Sequence, residues 1–131
     1  MGNGLSKIEK NELRKYVAQD EIGSVLQPLI REIHLFDSFV AGTTHLNDPK
    51  VLDTLCEGDT LILERENNKF DSNAIRIMTE SRIRIGYVPE KDNLIFARLM
   101  DAGKLLRARI KSIEKKHDFS KISIGIFLVD V

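Results

Sequence analysis

The sequence predicts a mainly β domain with some α structure (α+β). It should comprise about six strands in a small barrel-like sheet, two or three short helices and a helical N-terminal extension. Two observations carry this. From Phe36 onward, apolar residues recur in short runs of period two, each long enough for one strand and closed by turn residues. In the same stretch only Leu94, Ile95, Leu99 and Met100 keep clear helical spacing, so strand does not alternate with long helix as a parallel α/β sheet requires. A length of 131 residues, 42% hydrophobic and 31% charged, suits one such domain and no second.

Residues 1–34 read as the helical extension. Leu5, Ile8, Leu13, Tyr16 and Val17 recur at helical spacing, and a break at residues 20–24 contains Gly23. Val25, Leu26, Leu29, Ile30 and Ile33 then form a second apolar stripe crossed by Pro28. The opening Met1-Gly2-Asn3-Gly4-Leu5-Ser6 fits an N-myristoylation pattern too short and common to carry weight.

Residues 35–131 read as the domain, entered by a first strand at 34–44. Asp48-Pro49 is a helix N-cap followed by proline at the first helical position, starting a short helix that runs through Leu55 and ends at Gly58. Cys56 reads as a small packing residue beside it. Strands follow at 60–65, 74–79 and 82–88, the last two joined by a tight turn near Glu80 and Ser81. Pro89 closes the run, and residues 90–102 form a helix with Leu94, Ile95, Leu99 and Met100 on its apolar side, stopped by Gly103. In the strand at 106–113, Arg107, Arg109 and Lys111 share one face while Leu106, Ala108 and Ile110 share the other. Residues 115–118 form a polar connection, and the alternating Ile122, Ile124, Ile126 and Leu128 finish the sheet.

Lysine plus arginine and aspartate plus glutamate number 20 each, which argues against a coat of positive charge for gripping a duplex. The distribution is uneven. Residues 1–40 hold five basic and six acidic side chains, residues 41–80 four and eight, residues 81–131 eleven and six. Acidic middle and basic end either form two faces or pair with each other. No apolar run fits a membrane span and no secretory signal pattern opens the chain, so a cytoplasmic protein without membrane contact is expected. The single Cys56 excludes a disulfide framework or a zinc ribbon.

Catalytic patterns are missing. His34, His45 and His117 are far apart with no metal-ligand spacing, and neither a phosphate-binding glycine loop nor a serine nucleophile elbow occurs. Asp53 with Glu57 and Glu64 with Glu66 are acid pairs of an ordinary surface kind. A non-enzymatic protein with no cofactor and no metal is the expectation, and a metal-dependent hydrolase acting on nucleic-acid ends is the weakest alternative.

The densest polar segment runs Arg65-Glu66-Asn67-Asn68-Lys69-Phe70-Asp71-Ser72-Asn73-Ala74-Ile75, longer than a hairpin needs. Two readings are open. Asn and Asp can cap the loop's own backbone, or the same groups can face a ligand: Asp71 accepting from a hydroxyl, the asparagines reading polar edges, Phe70 stacking. This segment resembles the signature of the HIRAN domain family. Supporting blocks follow the family's order: Val40-Ala41-Gly42, Leu61-Ile62-Leu63, Ile85-Gly86-Tyr87-Val88-Pro89 and the helix from Leu94 to Gly103, covering residues 36–113.

The resemblance implies an OB-like variant barrel, found in fork-remodelling helicase-like proteins of DNA repair and in free-standing bacterial proteins, this chain looking like the second kind. It implies capture of the 3′ hydroxyl end of single-stranded DNA, the terminal base lying between two aromatic rings and the sugar hydroxyl on the signature aspartate. Phe70 and Asp71 occupy the matching positions. The second aromatic position and the basic residue beside it are expected at His45 and Thr44, a departure in which histidine still offers a stacking face while threonine lacks the charge an arginine would give to a phosphate. Arg65 either reaches a phosphate or pairs with an acid. Asn67 and Asn68 are ligand candidates, whereas Asn73 is the first candidate for bracing the loop. Gly42 is structural, and Tyr87 either stacks or packs. Arg107, Arg109 and Lys111, with Lys104, Lys115 and Lys116, form a candidate track for a DNA backbone or a solvated face. The competing class is an adaptor that docks a protein partner or a second copy through the apolar residues of 25–33.

Overall fold

Alternating branched residues build the strands, and the computed structural model describes residues 31–117 and 119–130. The strands are β1 (Arg31–Phe39), β2 (Thr60–Arg65), β3 (Ile75–Met78), β4 (Arg84–Tyr87), β5 (Leu106–Lys116) and β6 (Phe119–Asp130). One helix, α1 (Asn93–Asp101), and two 3₁₀ turns, Thr43–His45 and Pro49–Thr54, join them. The strands form one antiparallel sheet in the order β1-β6-β5-β2-β3-β4. Inward residues pair in register, Leu63 opposite Ile77, Leu61 opposite Ala108 and Ala108 opposite Ile126. Leu61, Ile75, Ile77, Ile85, Ile122, Ile124 and Ile126 are fully buried. Each contributes roughly 1.5–3 kcal/mol of burial.

The sheet curls onto itself just past β1. Val40 N–H donates to the Ile122 carbonyl at 2.9 Å, and Ala41 exchanges two backbone hydrogen bonds with Tyr87 at 2.8 and 2.9 Å. The segment after the first strand in the order thus bridges to the last. Gly86 permits this, because a Cβ there would stand 2.3 Å from the Ala41 carbonyl oxygen and 2.4 Å from Val40 Cγ1. Gly42 follows at φ 77°, a left-handed conformation that turns the chain out of the strand.

Several boundaries differ from the sequence expectation. The extension at 1–30 lies outside the described residues, and residues 31–34, read there as helical, begin β1 beside β6. Sheet pairing overrides helical spacing at Ile33, which is exposed on the strand. The first strand stops at Phe39 rather than Thr44 because of the Gly42 turn. Asp48 caps as expected, its carboxylate accepting from Lys50 N–H at 3.0 Å, but the helix is 3₁₀. Arg82 sits at φ 68° with its N–H on the Thr79 carbonyl, so β4 starts only at Arg84. Lys115 and Lys116, expected in a loop, pair with Ser120 and Phe119 inside a longer hairpin. Cys56 is exposed and packs nothing away. In α1 the buried face is Asn93, Phe96 and Ala97, whereas Leu94 and Ile95 are exposed. The cause is tertiary: Phe96 and Ala97 enter the core, with Leu99 and Met100 packed against it, and Asn93 lies on the same buried face.

Arg107 and Arg109 face outward as expected, but both are occupied. Glu32 accepts from Arg109 Nη2 at 2.5 Å and Nε at 3.1 Å, and from Arg107 Nη1 at 2.9 Å. This reaches across β6 at Gly125, where an added Cβ would meet Phe127 at 3.2 Å and His34 at 3.5 Å. Hydrogen bonds from Arg109 hold the Glu32 carboxyl below the usual carboxylate range, with Arg107 adding to them against partial desolvation. Lys111 pairs with Asp37 at 2.9 Å and Lys115 with Asp53 at 3.2 Å. Arg107, Arg109, Lys111 and Lys115 are therefore paired with acids of earlier segments.

Two outcomes follow from this packing. Gly86→Ala should lower unfolding free energy by about 2–4 kcal/mol in urea titrations, because the new methyl meets the Ala41 carbonyl as well as the Val40 side chain, and the backbone cannot swing aside. Glu32→Gln should cost about 1 kcal/mol at neutral pH. A carboxylate with a depressed folded pKa stabilises above its unfolded pKa and stops doing so as pH falls through the folded value. The gap between wild type and Glu32→Gln should therefore close on acidification, which urea titrations at falling pH would measure.

Candidate nucleic-acid interface

Between β2 and β3 the chain must travel farther than a hairpin turn, and its own polar groups hold it. Asn68 Oδ1 accepts from Phe70 N–H at 2.8 Å, and Asp71 Oδ1 accepts from Asn73 N–H at 2.9 Å, two successive side-chain turns. Arg65 reaches back under the loop, donating to the Ala74 carbonyl at 2.7 Å and the Ser72 carbonyl at 2.9 Å, with Asp101 of α1 accepting from its Nε at 2.9 Å. Arg65 is thus a brace, and its guanidinium holds the Asp101 carboxyl below the usual range. Asn68 completes the bracing by donating from Nδ2 to Glu66 at 2.9 Å. The bracing amide side chain is therefore Asn68, while Asn73 contributes its backbone N–H.

A groove of about 380 Å³ opens beside this loop, lined by Ala41, Gly42, Asn68, Phe70, Asp71, Ala74, Tyr87, Val88 and Glu90. Phe70 stands at its rim 84% exposed, with Lys69 Nζ 5.4 Å from the ring centroid. So exposed a ring on so braced a loop has no packing role. Asp71 is aimed by α1: buried Asn93 donates from Nδ2 to Asp71 Oδ2 at 2.8 Å. Each carboxylate oxygen keeps a further acceptor position. On the opposite wall, the Tyr87 hydroxyl donates to Glu66 at 2.8 Å, fixing its ring beneath the Arg84 guanidinium, 5.2 Å from the centroid. Burial, then the hydrogen bond to Glu66 and its charge, push the Tyr87 phenol up, so it remains a protonated donor. Tyr87 is therefore neither core nor free: one edge is anchored and the ring lines the groove.

The structure brings together Asn68, Phe70, Asp71 and Tyr87 of the residues expected from sequence. It does not bring the others. Thr44 lines a separate hollow, and His45 closes the 3₁₀ turn with its N–H on the Gly42 carbonyl at 3.1 Å. Asn67 does not line the groove, and Arg107, Arg109 and Lys111 lie on β5 with their acidic partners. Glu66, Asn93 and Glu90 escaped sequence reasoning, since only folding carries Glu66 to Tyr87 and Asn93 to Asp71. Phe39 was missed too. Its ring lies 5.9 Å from Lys91 Nζ in a neighbouring hollow that begins one residue past Glu90.

Among the described residues no group of three or more His, Cys, Asp or Glu is placed to hold a metal ion. None of their helices is long and apolar enough to cross a membrane. The adaptor stripe lies outside the described residues except for residues 31–33 of β1.

The HIRAN domain family model matches residues 33–129. A crystal structure of a protein from Lactobacillus plantarum superposes with a TM-score of 0.72 at 25% identity, covering 78% of this chain and 99% of that one. The crystal structure of the HIRAN domain of human HLTF superposes at 0.62 with 16% identity, covering 79% and 82%, a likeness of fold. No curated protein matches the chain. A braced loop bearing Phe70 and Asp71 on a curled six-stranded sheet, matched from residue 33 to 129, places the chain in the HIRAN domain family.

Proposed function

We propose that this domain is a non-catalytic binder of single-stranded DNA that takes the 3′ hydroxyl end into the groove beside Phe70. The family supports the general part, since HIRAN domains are associated with binding DNA. The observation that carries the specific part is the pairing of an 84% exposed Phe70 with an adjacent Asp71 fixed by α1. A terminal base stacks on the ring, which is sequence-tolerant because every base has a π face. The sugar hydroxyl donates to Asp71, and Asn93 keeps that carboxylate from swinging away. Asp71 and Glu90 both line the groove, so a terminal phosphate is repelled where an uncharged hydroxyl is accepted. Specificity thus comes from what the acids exclude as much as from what they bind.

Fluorescence anisotropy with a short DNA strand tests this. Phe70→Ala should cost roughly 1–3 kcal/mol of binding while leaving the fold intact, because the ring buries little. Wild type should prefer a 3′ hydroxyl strand over its 3′ phosphate counterpart, and Asp71→Asn should erase most of that preference. Equal binding of the two strands by wild type, or full affinity in folded Phe70→Ala, would remove the end-capture model.

A further inference from the structure

The turn that supplies Ala41 and Gly42 to the groove places its next two residues, Thr43 and Thr44, in a different hollow of about 420 Å³. Opposite them stands the end of the β5–β6 hairpin with Lys116, His117 and Ser120. Hydroxyl, ammonium and imidazole groups facing one space are donors for phosphate oxygens. The acid in this lining, Asp53, is engaged by Lys115 at 3.2 Å. Lys116 and His117 have no acidic partner among the described residues. Thr43 lines the same hollow and is 8% exposed. Leu46, Pro49 and Leu52 give the hollow an apolar side against which a sugar can lie.

We propose that this hollow is a second nucleotide subsite, in which Lys116, His117 and the hydroxyls of Thr43, Thr44 and Ser120 hold an internal phosphate of the bound strand. The proposal rests on the reading of the groove as the site of the 3′ end. A strand ending at Phe70 and Asp71 crosses the turn at residues 41–44 and meets the hollow on its other side. The turn then acts as a saddle between two subsites of opposite character, acidic where the strand ends and basic where it continues.

The test compares a dinucleotide with a hexanucleotide, both ending in a 3′ hydroxyl, by anisotropy at low and moderate salt. Wild type should bind the longer strand about tenfold more tightly at low salt, with the gain shrinking as salt rises. Lys116→Ala and His117→Ala should each cut that gain about threefold and leave dinucleotide binding unchanged. Arg98→Ala, which removes an exposed charge on α1, should preserve it. Dinucleotide binding with no length gain, or a gain untouched by Lys116→Ala and His117→Ala, would overturn the subsite while leaving the end groove standing. A loss in Arg98→Ala as large as in Lys116→Ala would reduce the effect to overall charge and also overturn it. Failure of folded wild type to bind either strand would overturn both readings.

Discussion

Closure of the sheet at Ala41 and Tyr87 is the constraint on which the rest depends. Two backbone hydrogen bonds and a glycine without a side chain bring the segment after β1 against β4, at the far edge of the sheet order. Curvature makes the interior, because inward residues of β2 to β6 then converge on one core, with Val40 just past β1. It also makes the groove, since Gly42 on one side of the junction and Tyr87 on the other are its wall. A larger residue at position 86 would push apart the two segments that bound the site. Stability and binding geometry therefore share a single close contact, and neither can change there without the other.

The loop carrying Phe70 and Asp71 shows how a long connection becomes rigid without a core of its own. Arg65 satisfies two of its carbonyls, Asn68 and Asp71 each cap a following amide, and Asn93 ties the carboxylate to the helix. Backbone groups that water would otherwise solvate are paired internally. A rigid platform loses little freedom when a ligand arrives, so stacking energy appears as affinity. The Phe70 ring stands outside this hydrogen-bond network, exposed at the rim.

Charge follows the same logic of local use. A neutral net charge conceals one paired surface and two unequal hollows. Arg107, Arg109 and Lys111 hold β1 in place through Glu32 and Asp37, and their charges are spent on the sheet. The acids that line the groove are Asp71 and Glu90, and Lys116 and His117 line the hollow across the turn.

Much of the chain was legible before folding. Period-two alternation at Leu106, Ala108 and Ile110 and again at Ile122, Ile124 and Ile126 marks inner faces, since successive side chains of a strand point to opposite sides. Asp48-Pro49 marks its own cap, and the signature from Arg65 to Ile75 marks the loop and places Phe70 and Asp71 in it. What sequence left open was decided by contacts distant along the chain. Whether Arg65 meets a phosphate or an acid depended on where α1 brings Asp101, and whether β5 is a free basic face depended on Glu32 lying across Gly125. The rotation of α1, which exposes Leu94 and Ile95 and buries Asn93, depended on the core that Phe96 and Ala97 enter. Local pattern is set by backbone geometry that each residue carries with it. Partners are set by which surfaces closure of the sheet brings together, and no spacing along the chain records that.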